Sequence, residues 1–284
     1  MIEEKPKTNF DYSKFDLYKK CPQSYKWKYV EFKKPKAPPN RYYALIGIVI
    51  QKMFELFYNN EWYLKRSACR EFMYSKAPEI YEDTLKWCHV DWQAKIAKKS
   101  KHVIYDEFLE MIGKNLDVVK EKKLLGKYAK SEVKLTSYFE KNNYVVLTSK
   151  VDFIIHNQEG IQILDGKATS NKKGYLDNPA QLYFYAMMHH FKYKTYPDKI
   201  GFWFYKTGEI VYVDFTPEKV EELKENLKDV LYKIYKKKFE ATPSYSTCLF
   251  CDYRDECLER LKGEAEKSAE KSVKITEDDM KAFL

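Results

Sequence analysis

Asp152, Asp165 and Lys167 are the residues whose types and spacing could do chemistry. They lie in one stretch, VDFIIHNQEGIQILDGKATS, residues 151–170. The stretch reads as two apolar strands joined by a short polar turn. A four-residue hairpin loop over Asn157–Gly160 sets His156 against Ile161, and the same register sets Asp152 against Asp165. Alternation places Lys167 on the same strand face as Asp165. Directly opposed like charges destabilise a sheet, and a divalent cation between the carboxylates removes that cost. Hard cations such as Mg²⁺ or Mn²⁺ take carboxylate, carbonyl and water oxygens together with substrate phosphate. Asp152 and Asp165 are the expected ligands, with the Gly166 carbonyl as a further one. Glu132, on the preceding strand, reaches the metal through water. Lys167 then orients the attacking water or stabilises charge growing on a phosphate. The plain alternative is a charged face on a solvated hairpin, but these strands are too apolar for that.

Strands are needed to position these side chains, and the chain supplies them only in its second half. Residues 1–9 read as a disordered lead. Residues 12–30 read as helix, broken near Cys21-Pro22. A second helix over 41–60 carries Ile46, Ile50, Phe54 and Phe57 at helical spacing. Residues 61–128 continue as Lys-rich, aromatic helix. SEVKLTSYF, NYVVLTSKVDFII and IQILDGKAT then alternate or run apolar, as strands do. A helix over 178–193 follows, then IGFWFYKT and EIVYVDF as a hairpin across Gly208. Pro217-Glu218 opens a helix to 239, with Pro in its first turn. A Cys-rich loop covers 247–257 and a charged tail ends the chain. There is no internal repeat. This order predicts one α/β core with a helical N-terminal region and a helical insertion. The expected divisions are 1–128, a core at 129–246, a cysteine loop at 247–262 and a tail at 263–284.

Bulk properties bound the partners. The chain has 284 residues, 44% of them hydrophobic, with 25 Tyr and 17 Phe, enough for a sizeable core. Lys plus Arg outnumber Asp plus Glu by 51 to 42, a net charge of +9. That balance favours an anionic partner, nucleic acid ahead of a membrane surface. No run of about 18 apolar residues occurs, so no spanning helix is expected. The polar N-terminus lacks a signal-peptide core, which points to an intracellular, reducing location. In such a compartment the 6 Cys are metal ligands or free thiols rather than disulfides. Cys248, Cys251 and Cys257 are spaced to wrap one metal centre, and Cys21, in its Cys-Pro break, is the best fourth ligand. Four thiolates suit structural zinc or a [4Fe–4S] cluster. Cys69 and Cys88 read as buried small apolar residues.

Read together, the D-(x12)-D-x-K pattern after two apolar strands resembles the PD-(D/E)xK nuclease superfamily, and specifically its RecB-like exonuclease branch. CRISPR-associated RecB-like nucleases and AddB-type nuclease domains are of this kind. Three further features are similar to that branch. Gln181-Leu182-Tyr183-Phe184-Tyr185 matches its Q-x-x-x-Y motif, and Gln181 and Tyr185 share one helix face. SKFDLYKKCPQSYKW, residues 13–27, resembles its N-terminal helix. Cys248-x2-Cys251-x5-Cys257 matches the C-terminal triplet of its iron–sulfur members. The resemblance implies a restriction-endonuclease-like α/β fold, a central mixed sheet flanked by helices. It also implies Asp152, Asp165, Lys167, Gln181 and Tyr185 as catalytic residues, Mg²⁺ or Mn²⁺ as cofactor, and DNA as substrate, single-stranded or with free ends. It favours the [4Fe–4S] cluster over zinc, as a staple joining the N-terminal helix to the C-terminal tail. The sequence departs from the family on the second helix. Where a His four residues after a Gly is usual, Gly47 is followed by Gln51, a poorer metal ligand than His; the alternatives are a cation held by Gln51, by fewer protein ligands, or by Glu55 one turn later. Ser149-Lys150 replaces the Gly often found before the first Asp.

The activity expected is exonucleolytic hydrolysis of DNA in repair, recombination, phage replication or CRISPR adaptation. The alternative is an inactive DNA-binding or scaffold subunit keeping the nuclease fold. Other stretches weigh less. Lys98, Lys99 and Lys101, and then Lys120, Lys122 and Lys123, form basic runs on predicted helices that suit a DNA channel or a solvated face equally. Tyr183, Trp203 and Tyr205 suit base stacking or core. His189-His190 lacks metal-spaced partners. The terminal ITEDDMKAFL resembles a partner-docking peptide or a frayed end.

Overall fold

The computed structural model describes residues 8–35, 41–93, 98–139, 145–244, 247–248, 251–254 and 256–257, without the side chains at 8, 43 and 65–67. The charged tail with its docking peptide, residues 1–7 and residues 258–262 lie outside the described residues. The chain forms two compact units: Met1–Tyr12 with Asn40–Asp229, and Ser13–Pro39 with Val230–Leu284.

The first unit is built on a six-stranded mixed sheet. Its spine is the long strand β3 (Val145–Asn157). Along one edge of β3 runs β2 (Tyr128–Tyr138), antiparallel from Tyr128↔His156 to Tyr138↔Val146. The other edge is shared. Its first residues pair in parallel with β1 (Thr8–Phe10), Thr8↔Val145 to Phe10↔Leu147. Its last residues pair antiparallel with β4 (Gly160–Lys167), Phe153↔Leu164 to Asn157↔Gly160. The pair His156↔Ile161 is the predicted register, closed by a turn at Gln158–Glu159. Asn157 Oδ1 accepts from the Glu159 amide at 2.9 Å, and Gly160 takes φ +94°, which a glycine adopts without strain. Beyond β4 lie β5 (Lys199–Phe204), parallel to it, and β6 (Glu209–Val213), antiparallel to β5.

Parallel strands need a crossover. Here it consists of a short helix α6 (Lys173–Asp177) and α7 (Ala180–Tyr193). Leu182, Phe184, Ala186, Met187 and Met188 of α7 are buried, so the helix packs on the sheet and starts just past the carboxyl end of β4. Three helices also belong to this unit: α3 (Tyr42–Asn59), α4 (Cys69–Trp87) and α5 (Lys101–Glu121). Leu45, Val49, Ile50, Met53, Phe54 and Phe57 place an apolar stripe of α3 in the core. Asn115 of α5 is fully buried and fully bonded. Its Oδ1 accepts from Trp203 Nε1 at 2.7 Å, and its Nδ2 donates to the carbonyls of Met111 and Tyr205, each at 2.8 Å.

The second unit comprises most of α1 (Tyr12–Lys20), one turn α2 (Pro22–Tyr25), a π-helical turn at Lys26–Val30, and the last turns of α8 (Pro217–Tyr235). Proline at the first position of α2 and the extended backbone of Cys21, φ −161°, produce the predicted break. Tyr18 OH donates to the Lys238 carbonyl at 2.5 Å, Thr242 Oγ1 to that of Lys20 at 2.9 Å, and Tyr253 OH to that of Lys33 at 2.9 Å.

Several expectations are corrected. Thr8–Phe10 is a strand, not a disordered lead, because the open edge of β3 offers it backbone partners and Phe10 is fully buried. Lys98 and Lys99 precede α5, which Ser100 caps by accepting from the Val103 amide. Of the two readings of Trp203 and Tyr205, core holds, since both are buried. The basic runs are partly neutralised: Lys99 pairs with Glu107, Lys101 with Glu82 and Lys122 with Glu121. Among the described residues no helix is long and apolar enough to cross a membrane.

Candidate active site

The sheet forks at the aspartates. The β3–β4 ladder ends at Phe153↔Leu164, whereas β4 stays paired with β5 through Lys167↔Phe204. On the other side of β3, Ser131↔Phe153 and Val133↔Val151 pair but Glu132 and Asp152 do not. Glu132 there takes φ +57°, a left-handed conformation that costs a non-glycine residue about 1–3 kcal/mol. Asp152 thus sits where both ladders lapse. The unpaired backbone turns to the side chain instead, and the Gly166 amide donates to Asp152 Oδ2 at 2.9 Å.

Five side chains from β3, β4 and α7 connect in sequence. Lys167 Nζ lies 2.5 Å from Asp165 Oδ2 as an ion pair and donates to Gln181 Oε1 at 3.2 Å. Gln181 Nε2 donates to Tyr185 OH at 2.9 Å, and Tyr185 OH donates, at a long 3.5 Å, to Asp152 Oδ1. The rings of Tyr175 and Phe202 lie under the Lys167 ammonium, at 5.2 and 5.9 Å. Asp165 is 1% exposed, and its Oδ1 meets no donor in hydrogen-bonding geometry. Asp152 keeps some exposed surface yet is densely surrounded.

Burial and charge set the protonation. Burial, reinforced by the Asp165 charge, raises the Asp152 carboxyl to about 8. Burial likewise raises Asp165, against the pull of Lys167. For Lys167, burial opposes the charge, but Asp165 and then Asp152 outweigh it and hold the ammonium above its ordinary range. Burial keeps Tyr185 and Tyr205 as neutral phenols. The centre therefore holds two crowded carboxyls, one cation and phenolic donors.

A second layer reaches the site from α3. The Cβ of Ala168 lies 3.3 Å from where a Cβ on Gly47 would stand, so α3 approaches the end of β4 closely. One turn on, Gln51 Oε1 accepts from Tyr205 OH at 2.6 Å and Gln51 Nε2 donates to Glu132 Oε1 at 2.9 Å. Lys150 also pairs with Glu132. A Cβ on Gly166 would collide with the Tyr205 hydroxyl. Gln51 and Glu132 therefore bond each other beside the aspartates. Glu55 does not join them, because it pairs with Lys52 at 2.9 Å on the outer side of α3. Tyr205 and Tyr175 are the residues the sequence did not mark for this site. Their only sequence signal is an aromatic beside the β5 strand and one in the crossover.

The orphaned Asp165 oxygen, the crowded carboxyls and the all-oxygen donor set fit Mg²⁺ or Mn²⁺. Among the described residues no cluster of three or more His, Cys, Asp or Glu could hold a metal ion by itself. Cys21, Cys69, Cys88, Cys248 and Cys251 are free thiols. Burial raises the Cys251 thiol, and Cys21 and Cys248 are near enough to raise it further. Ser24 Oγ stands 3.8 Å from Cys251 Sγ.

A forked mixed sheet with Asp152 and Asp-Gly-Lys at the fork defines a class. The family model of the PD-(D/E)XK nuclease superfamily matches residues 9–258, and the chain belongs to that superfamily. Its members are generally nucleases and typically use Mg²⁺ or Mn²⁺. Among solved structures, that of SSO0001 aligns over 88% of this chain and 97% of its own at 14% identity, with a TM-score of 0.35, a likeness that carries no argument. No curated protein matches.

Proposed function

We propose that the chain is a metal-dependent DNA exonuclease of the RecB-like branch, carrying a [4Fe–4S] cluster in its second unit. The observation that carries the reading is the unbroken series of contacts from Asp165 through Lys167, Gln181 and Tyr185 to Asp152. Asp152 and Asp165 would hold the cation, with the Gly166 carbonyl beside them. A bound Mg²⁺ or Mn²⁺ supplies Lewis-acid polarisation of the phosphate and a water acidic enough to ionise near neutral pH. The chain supplies the rest. The Gly166 amide and the Tyr185 phenol fix the two oxygens of Asp152. Gln181 holds Lys167 in one rotamer, and Lys167 sets its charge against the phosphoryl oxygens as negative charge builds there. Gln51 holds Glu132 in place rather than standing free as a ligand. Cys21, Cys248, Cys251 and Cys257 would hold the cluster as a structural tie, and the same thiolates would suit zinc.

The test uses purified protein with Mg²⁺ or Mn²⁺ on end-labelled linear DNA and on a closed circle. Stepwise shortening of the linear DNA alone is expected, and cleavage of the circle would replace exonuclease with endonuclease. Lys167→Ala and Asp165→Ala should each abolish it, and activity surviving both rules out this site. Wild-type protein inert with either metal leaves the non-catalytic DNA-binding reading. A brown anaerobic preparation absorbing near about 400 nm is expected from iron–thiolate chemistry, whereas a colourless protein with stoichiometric zinc removes the cluster.

A further inference from the structure

In the second unit, the end of α8 and the residues after it, YKIYKKKF (232–239), alternate aromatic and basic side chains. Tyr235 is 76% exposed and Tyr232 57%, although a tyrosine ring gains by being covered. Lys236 Nζ lies over both rings, 5.6 Å from Tyr232 and 5.5 Å from Tyr235. Lys236, Lys237 and Lys238 enter no ion pair among the described residues. Elsewhere, several surface lysines are matched to a carboxylate three residues away. Lys237 takes φ +55°, a left-handed residue just past the end of the helix.

Tyr235, Ile234 and Lys237 line a groove of about 730 Å³ whose facing wall is Lys26, Val30 and Glu31, with Glu240 also at the groove. Glu31 is already engaged by Lys26 at 2.7 Å. Val30 presents a further 47%-exposed apolar face. Pockets of roughly 300–1,000 Å³ accommodate drug-sized groups, which is the scale of a nucleotide. Exposed rings that accept a base on their faces, flanked by cations that follow a phosphate backbone, make a surface for unpaired strands. A duplex keeps its base faces stacked inside and offers its phosphates and base edges instead.

We propose that this basic aromatic face, Tyr232, Tyr235 and Lys236–Lys238 with the groove beside them, binds single-stranded nucleic acid by base stacking and phosphate pairing. It rests on the nuclease reading for its role, supplying that activity with its class of substrate. Binding of fluorescein-labelled oligothymidylate to the full chain in EDTA, read by anisotropy, tests it without cleavage. The double variant Tyr232→Ala/Tyr235→Ala should weaken binding about tenfold or more, as loss of stacked bases does. Affinity for duplex of the same length should change little. Tyr232→Phe/Tyr235→Phe should bind like wild type, which separates a lost ring from a lost fold. Lys236→Glu/Lys237→Glu/Lys238→Glu should weaken binding and flatten its salt dependence. The proposal is overturned if the alanine variant binds oligothymidylate as tightly as wild type, or if it loses single strand and duplex equally. Hydrolysis of bis(p-nitrophenyl) phosphate, which needs no strand, reports the carboxylate centre separately. Its absence from wild type defeats the nuclease reading and leaves the binding result standing.

Discussion

The carboxylate centre and the cysteine region hold their polar groups by opposite means. At the fork of the sheet, each functional side chain is fixed by another part of the protein: Asp152 by the Gly166 amide, Lys167 by Gln181, Gln51 by Tyr205 and Glu132. Removing a cation from such a centre alters charge but leaves geometry to the hydrogen bonds. In the second unit, Cys21, Cys248 and Cys251 are free thiols, and Cys251 is characterised by burial and by the nearness of Cys21 and Cys248. Thiols make weak hydrogen bonds, so the proposed metal or cluster would be what ties them. Under the proposed reading, metal would serve chemistry at the fork and shape at the thiols.

The largest expected effect is on the second unit. If the second unit holds the proposed metal, Cys251→Ser, or chelation, should strip amide-exchange protection from residues 13–35 and 230–244, since metal held by structural thiolates is worth about 10 kcal/mol or more. Protection at β3 and β4 should stay. Equal loss in both units would erase the contrast, as would no loss in either. Next in size is Phe54→Ala in the first unit. Phe54 is fully buried against Trp203 and Tyr205, with centroids 5.1 and 5.9 Å away. Chemical denaturation should show a loss of about 3–5 kcal/mol.

A smaller effect tests the charge claim. Asp152 titrates in the unfolded chain at its ordinary value but holds its proton in the fold up to about 8. Between those values the unfolded state binds fewer protons, so metal-free stability should fall as pH rises and level off above about 8. Asp152→Asn should abolish much of that slope and stabilise the metal-free protein at high pH by about 1–3 kcal/mol. Mg²⁺ should stabilise wild type most at high pH and the variant little. A slope unchanged by the substitution would locate the buried proton elsewhere. Gly166→Ala should cost about 1–3 kcal/mol through its collision with the Tyr205 hydroxyl. Tyr205→Phe should recover part of that cost in a double-mutant cycle. At the small end, Glu55→Gln should change stability and metal affinity within about 0.5 kcal/mol, as for an exposed i,i+3 pair.

The hairpin was legible because a short loop admits few registers, and one slip would send Asp152 to the wrong face. Gln181 and Tyr185 were legible from helix spacing together with family resemblance. Tyr205 was not, because its bond to Gln51 spans 154 positions and exists only once α3 lies on the end of β4. The strand at Thr8–Phe10 was missed for a similar reason. Three residues carry no period, and their extended form comes from the open edge of β3. The left-handed backbone of Glu132 runs against its local preference and is imposed by bonds to distant Gln51 and Lys150.

Asn115 bears on how far this chain can be shortened. The helices between α3 and β2 look like an accessory threaded into a nuclease core, open to excision or exchange. Yet α5 supplies the one amide that satisfies both the Trp203 indole and the Tyr205 carbonyl, beneath the ring that braces Gln51. Cutting out α5 would strand two polar groups in a dry interior, at about 1–3 kcal/mol each, and loosen that ring. A minimal version would have to keep this helix or redesign the end of β5.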